Sequence, residues 1–193
     1  MKSKIDFVEL TFHEHKNQIK MNVSKKYITI TIMLFAALAV SAQVAIGKET
    51  INGTSTLLDF EDSASNFRGI ILPAVDAAPT LGAANNGTFL FDTSDNKVKM
   101  FENEIWVELS DEGDSTAIPV NTSDETGEGV IIGSETTDAD GILVLESADK
   151  AMILPKIANP HTTVKSPYPG MICYDTVSKS LAVFDGSVWN YWK

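Results

Sequence analysis

From residue 43 onward the chain alternates apolar and polar positions in short bursts. Phe89-Leu90-Phe91 is an apolar run, closed by the turn residues Ser94-Asp95-Asn96-Lys97. Val98 and Met100 then flank Lys99. Glu102-Asn103-Glu104 turns the chain again, and Ile105, Val107 and Leu109 alternate with Trp106 and Glu108. A period of two puts successive side chains on opposite faces, so each burst predicts a half-buried strand, and the three together predict an antiparallel meander. Gly170 to Trp192 carries the same pattern, with Asp185-Gly186 at its second turn, a dipeptide that suits a tight hairpin. The stretches before each meander hold shorter apolar runs separated by Gly, Asn and Thr. No helical period appears after residue 42. Ala74 to Ala84 has room for one helical turn, and Pro79 and Gly82 argue against more.

These bursts repeat. Val44-Ala45-Ile46-Gly47 echoes Val130-Ile131-Ile132-Gly133, and Leu57 to Glu61 echoes Ile142 to Glu146. Ile71-Leu72-Pro73 recurs as Ile153-Leu154-Pro155. The stretch from Gly87 to Leu109 aligns without a gap with Gly170 to Trp192, pairing Asp92 with Asp175, Phe101 with Phe184 and Trp106 with Trp189. A period this long exceeds that of short solenoid repeats and points to a duplicated module. The expected fold is all-β: two small antiparallel β-meander modules, 43–109 and 130–193, joined by an acidic linker, 110–129. The linker is rich in Asp, Glu, Ser, Thr and Gly, with little to bury. Modules of this size offer little core, so stability is expected from packing of the copies or from association of chains.

Residues 21–42 read as a secretory signal peptide. Lys25 and Lys26 form a basic start, Tyr27 to Val40 is free of charge, and Val40-Ser41-Ala42 offers small residues for cleavage before Gln43. The apolar run is short for a bilayer span, so no stable membrane span is expected after cleavage. Translation is expected to start at Met21, which makes residues 1–20 an overrun upstream of the true start. His13 and His15 would suggest a metal site only if that segment exists.

Composition narrows the function classes. The 193-residue chain has a net charge of −11, and the leader takes six of its 15 Lys and Arg but three of its 26 Asp and Glu. So acidic a surface argues against nucleic acid as a partner. The lone Cys173 rules out an intramolecular disulfide. Only His161 remains as a histidine after the leader, which weakens histidine-dependent catalysis and metal binding.

The order of motifs resembles repeats of bacterial secreted proteins and phage tail-fibre-like proteins. It rests on Val130 to Gly133, Leu143 to Leu145, Ile153-Leu154-Pro155, Gly170 to Thr176 and Phe184 to Trp189. The first copy departs at its second turn, where Asn103 and Glu104 replace the Gly-containing pattern. The resemblance implies a β-rich, surface-exposed or fibre-forming module that self-associates, a homotrimer among the options.

Each candidate site has a plainer structural reading. Asp92 and Asp175, each followed by Thr, suit either a cation site, with Asp95 in the first copy, or the capping of a turn, which is the simpler reading. Asp138-Ala139-Asp140-Gly141 looks like part of a calcium loop but lacks the closing ligands. Cys173 aligns with Leu90, as a small core hydrophobe would. Trp106, Trp189, Phe101 and Phe184 recur as anchors of the two meanders. Tyr191 and Trp192 align with Glu108 and Leu109, so they are the candidates for a ligand or interface patch. Pro155, Pro160, Pro167 and Pro169 predict an extended loop.

No nucleophile, base and orienting partner come together in this sequence, so no enzyme and no cofactor are expected. The expectation is a secreted or cell-surface structural or adhesive protein that associates with itself and binds an unknown surface ligand. The alternative is a monomeric binding module, for a carbohydrate for example, that uses the C-terminal aromatics.

Overall fold

The computed structural model describes residues 20, 21, 23–31, 43–119, 127 and 129–193. Residues 1–19, with His13 and His15, the expected cleavage site at Ala42, and residues 120–126 of the expected linker lie outside them. The chain divides into two units, Met1–Ser41 and Ala42–Lys193. In the first, residues 23–31 are helical, and Thr29 Oγ1 donates to the Lys25 carbonyl. Among the described residues, no helix is long and apolar enough to cross a membrane.

The regular elements of the second unit are almost all short strands. They are β1 (Val44–Ile46), β2 (Thr56–Phe60), β3 (Ile70–Ile71), β4 (Ala74–Val75), β5 (Phe89–Asp92), β6 (Lys97–Glu102) and β7 (Ile105–Glu108), then β8 (Val130–Ile132), β9 (Leu143–Leu145), β10 (Ala151–Met152), β11 (Lys156–Ile157), β12 (Met171–Asp175), β13 (Ser180–Phe184) and β14 (Trp189–Trp192). A 3-10 turn, Ala83–Asn85, and a helical turn, Pro160–Thr163, interrupt them. The all-β class is therefore as the alternation predicts.

The antiparallel meanders stand where the pattern places them, β5-β6-β7 and β12-β13-β14. Their turns use left-handed residues: Asn96, Asn103 and Glu104 in the first, Lys179 and Gly186 in the second. Asn103 and Glu104, both at positive φ, thus give the first meander a tight turn without glycine, at a steric cost that glycine does not incur. The strands before each meander run parallel, so "antiparallel" describes only part of the fold. β1 pairs with β2, β4 with β5, β8 with β9 and β11 with β12, all parallel. Loops 47–55, 76–88, 133–142 and 158–170 carry the chain back to the same end, as parallel pairing requires.

Registers agree at matching positions. Val44 faces Leu58 and Val130 faces Leu143; Ala74 faces Phe91 and Lys156 faces Tyr174. Two further pairings cross between residues 43–109 and 130–193. β10 adds to β2 in parallel, and β3 adds to β12 antiparallel. The main core is shared in the same way: Leu72, Phe91, Val98 and Leu109 pack with Ile172 and Val183. A smaller cluster, Ile157, Cys173 and Ala182, lies under Val164 and Trp189.

The acidic stretch begins on this body. Ser110 Oγ accepts the Val98 N–H, Gly113 N–H donates to the Asn96 carbonyl and Asp114 N–H to the Asp185 carbonyl. Ile118 packs against the shared core. The proline-rich stretch is more ordered than an extended loop. Pro155 is buried, and Pro160 opens the helical turn, where its fixed φ fits and its missing N–H is not needed.

Candidate interaction surface

The two repeated aspartates sit at the ends of β5 and β12, one turn before the next strand. Asp92 Oδ1 accepts from the Ser94 N–H and hydroxyl, and Oδ2 accepts from the Ala78 N–H and from Lys99 Nζ at 2.7 Å. Asp175 Oδ1 accepts from the N–H groups of Asn159 and Val177. Both carboxylates thereby tie the following turn to the loop that precedes their strand. Burial pushes the Asp92 carboxyl up, but Lys99 and the Ser94 and Ala78 donors outweigh it and hold the pKa at about 2. Burial likewise opposes ionisation of Asp175, and Ser178, Val177 and Asn159 hold it below the usual range. Asp95 also contacts Lys99 Nζ, at 2.6 Å, so a cation already occupies this carboxylate pair. Among the described residues, no group of three or more potential metal ligands converges.

The aromatic anchors keep separate company. Phe101 packs on Trp106 with ring centroids 5.1 Å apart, and Phe184 on Trp189 at 5.4 Å. Trp106 Nε1 donates to the Pro79 carbonyl at 2.8 Å. Tyr191 and Trp192 are neighbours on β14 and so face opposite sides of the sheet. Tyr191 OH lies 3.1 Å from His161 Nδ1, and burial followed by the Asp175 charge pushes its phenol up. Trp192 Nε1 donates to the Leu109 carbonyl across the boundary between the halves. The two rings are partly exposed, yet the structure does not bring them into one platform, and no ring contact links them to Trp106 or Trp189 among the described residues.

Cys173 is fully buried beside Ala182. Burial and the nearby Asp175 push its thiol up to about 12, which leaves almost no thiolate at neutral pH. Asp138 to Gly141 forms a bend whose Asp140 N–H donates to the buried Asn85 Oδ1 at 2.7 Å, tying the two halves together.

Sequence reasoning missed three anchors. Asp185 is fully buried; its Oδ1 accepts from Ser187 and Val188 N–H, and its Oδ2 from Asn190 Nδ2. Asp59 is buried inside the apolar run Leu57 to Phe60, where Lys48 Nζ at 2.8 Å and the Asn52 N–H satisfy it. A lone Asp in an apolar strand was the available signal, and Val144 at the matching position shows that the pair is particular to the first half. Asn85 carried no signal, because its partner lies far along the chain.

Among the described residues, the candidate positions form turns, ion pairs and strand edges. Residues 131–193 match the family model of the phage tail like trimerisation region. That agrees with the phage tail-fibre-like resemblance carried by Val130 to Trp189. The matched residues include β9 to β14, both core clusters' contributions from the second half, the Asp175 and Asp185 caps, and Tyr191 and Trp192. No curated protein and no solved structure matches the chain.

Proposed function

We propose that this chain is a secreted, non-catalytic structural subunit of a tail-fibre-like assembly, that it works as a homotrimer, and that residues 43–109 and 130–193 are two copies of one module. The match of residues 131–193 to a trimerisation region carries this reading. Supporting it, the only thiol is buried and protonated, and the recurring aspartates are engaged in turns or with Lys99. Export follows from the leader read at residues 21–42, and a surface ligand, if one is bound, acts on the assembled trimer. Light scattering on a sizing column, applied to residues 43–193, tests the assembly. A mass of three chains is expected. A mass of one chain across the micromolar range would remove the reading.

A further inference from the structure

Each half of the chain uses its strand edges differently, and the difference leaves a matching set open. Between the halves, β3 lies against β12, with Ile71 facing Met171 and Ile70 facing Ile172, and the Leu72 N–H donates to the Gly170 carbonyl at 3.0 Å. In return β10 lies against β2, with Met152 facing Leu58 and the Ile153 N–H donating to the Leu58 carbonyl at 2.9 Å. Every partner in these two contacts has a counterpart elsewhere in the chain. Leu58 corresponds to Leu143, Gly170 to Gly87, Ile172 to Phe89, Ile71 to Ile153 and Leu72 to Leu154.

Among the described residues, nothing covers the counterparts. Leu58 is 1% exposed and Leu143 is 47% exposed. Gly170 meets Phe91 and Leu72, whereas Gly87, at a similar positive φ, has no such neighbour within 4 Å. Amide direction agrees as well, since successive N–H groups of an extended strand point to opposite edges. In β10 the Ala151 and Ile153 N–H groups bond to the β2 side, so the Leu154 N–H points to the other edge. In β3 the Leu72 N–H bonds to Gly170, so the Ile71 N–H points away from β12, and Ile71 is 46% exposed. The open edges of residues 130–193 are thus those that residues 43–109 present to them internally, and the reverse holds too.

We propose that a second copy of this chain docks head to tail on these edges. β10 of one copy lies antiparallel to Gly87–Phe89 of the next, with Leu154 N–H donating to the Gly87 carbonyl. β9 of the first copy receives β3 of the next in parallel, covering Leu143. The contact between copies then repeats the contact between the halves. It is heterologous, so it closes into a ring only if its rotation allows, and a closed ring leaves none of these edges open. This names the surface behind the trimeric reading and rests on it.

Cysteine cross-linking tests the register. By analogy with Met171 and Ile71, Thr88 of one copy faces Ile153 of the next, at a non-hydrogen-bonded pair close enough for a disulfide. The chain carrying Thr88→Cys and Ile153→Cys, purified as the oligomer and oxidised, is expected to run on a non-reducing gel as covalent trimers. The two single variants, oxidised alone, are expected to stay single chains, and their mixture to yield covalent dimers. Phe89→Cys with Met152→Cys gives a second pair in case the first misfolds. Ile71→Cys with Met171→Cys is the internal control and should close within one chain. A light-scattering trimer in which neither pair joins chains would overturn the proposal and leave the trimer standing. Interchain bonds from the internal control would also overturn it, by showing that the halves pair between chains. A single-chain mass would instead remove the trimeric reading itself.

Discussion

The Leu72 N–H donates to the Gly170 carbonyl at 3.0 Å, and the Gly170 α-carbon faces Phe91 at the centre of the shared core. A residue of the first half and a residue of the second therefore meet where a Cβ added to the glycine would lie 3.2 Å from Phe91 Cβ. Gly170 also needs a positive φ, +80°, to bring its carbonyl there.

Gly170→Ala should destabilise the chain more than Gly87→Ala. Both substitutions place a side chain in a left-handed conformation, at a cost of about 1–3 kcal/mol. Only at Gly170 does the new Cβ meet Phe91 Cβ at 3.2 Å, and overpacking adds about 1–3 kcal/mol. Urea unfolding of the dissociated chains gives the comparison; equal midpoints would contradict it.

Leu58→Ala and Leu143→Ala change matching positions in unequal surroundings. Leu58 is buried, with β10 paired beside it, so its truncation should cost about 2–5 kcal/mol. Leu143 has no such cover, and in the dissociated chain its truncation should cost on the order of 0.5 kcal/mol. Chemical denaturation below the association range measures both. A large Leu143 effect there would mean that another part of the same chain covers it.

Acid should unfold the chain partly through Asp92. Its folded pKa of about 2 lies below the ordinary 3.8, so its contribution is full above about pH 4 and is lost as the pH falls toward 2. The shift corresponds to a contribution on the order of 2 kcal/mol. Asp92→Asn should lower stability at pH 7 and flatten the fall between pH 4 and pH 2. Thermal melts across that window decide it, and an unchanged slope in the variant would assign the acid sensitivity elsewhere.

Cys173 should resist thiol reagents until the chain unfolds. Complete burial and a pKa of about 12 leave neither access nor thiolate at pH 8. Labelling by a coloured disulfide reagent, with and without denaturant, measures this; rapid labelling of the native chain would contradict it.

Much of the fold was legible along the chain. Alternation in Val98 to Leu109 located β6 and β7, and the Asp185-Gly186 dipeptide located the β13–β14 turn, because such signals depend only on neighbouring residues. The parallel pairs were not legible. β4 and β11 are two residues long, too short to show a period, and they exist because a distant strand offers an edge. The contacts of β3 with β12 and of β10 with β2 were beyond local patterns for the same reason. At the candidate patch, the lack of aromatic counterparts singled out Tyr191 and Trp192. Their opposite facings follow from adjacency on one strand, but the ties to His161 and Leu109 depend on tertiary packing.

The pairing of β10 with β2 joins Thr56 to Ala151. Synthesis runs from the N-terminus, so Leu57 and Leu58 emerge well before the strand that will cover them. Closing so long a loop is entropically costly, and contacts this far apart in sequence slow folding. The outer edges of β2 and β3 must therefore wait for the second half, and the sheet stays unfinished until the last third of the chain has been made. Under the export proposed above, that delay would keep the sheet from locking before the chain has been threaded across a membrane.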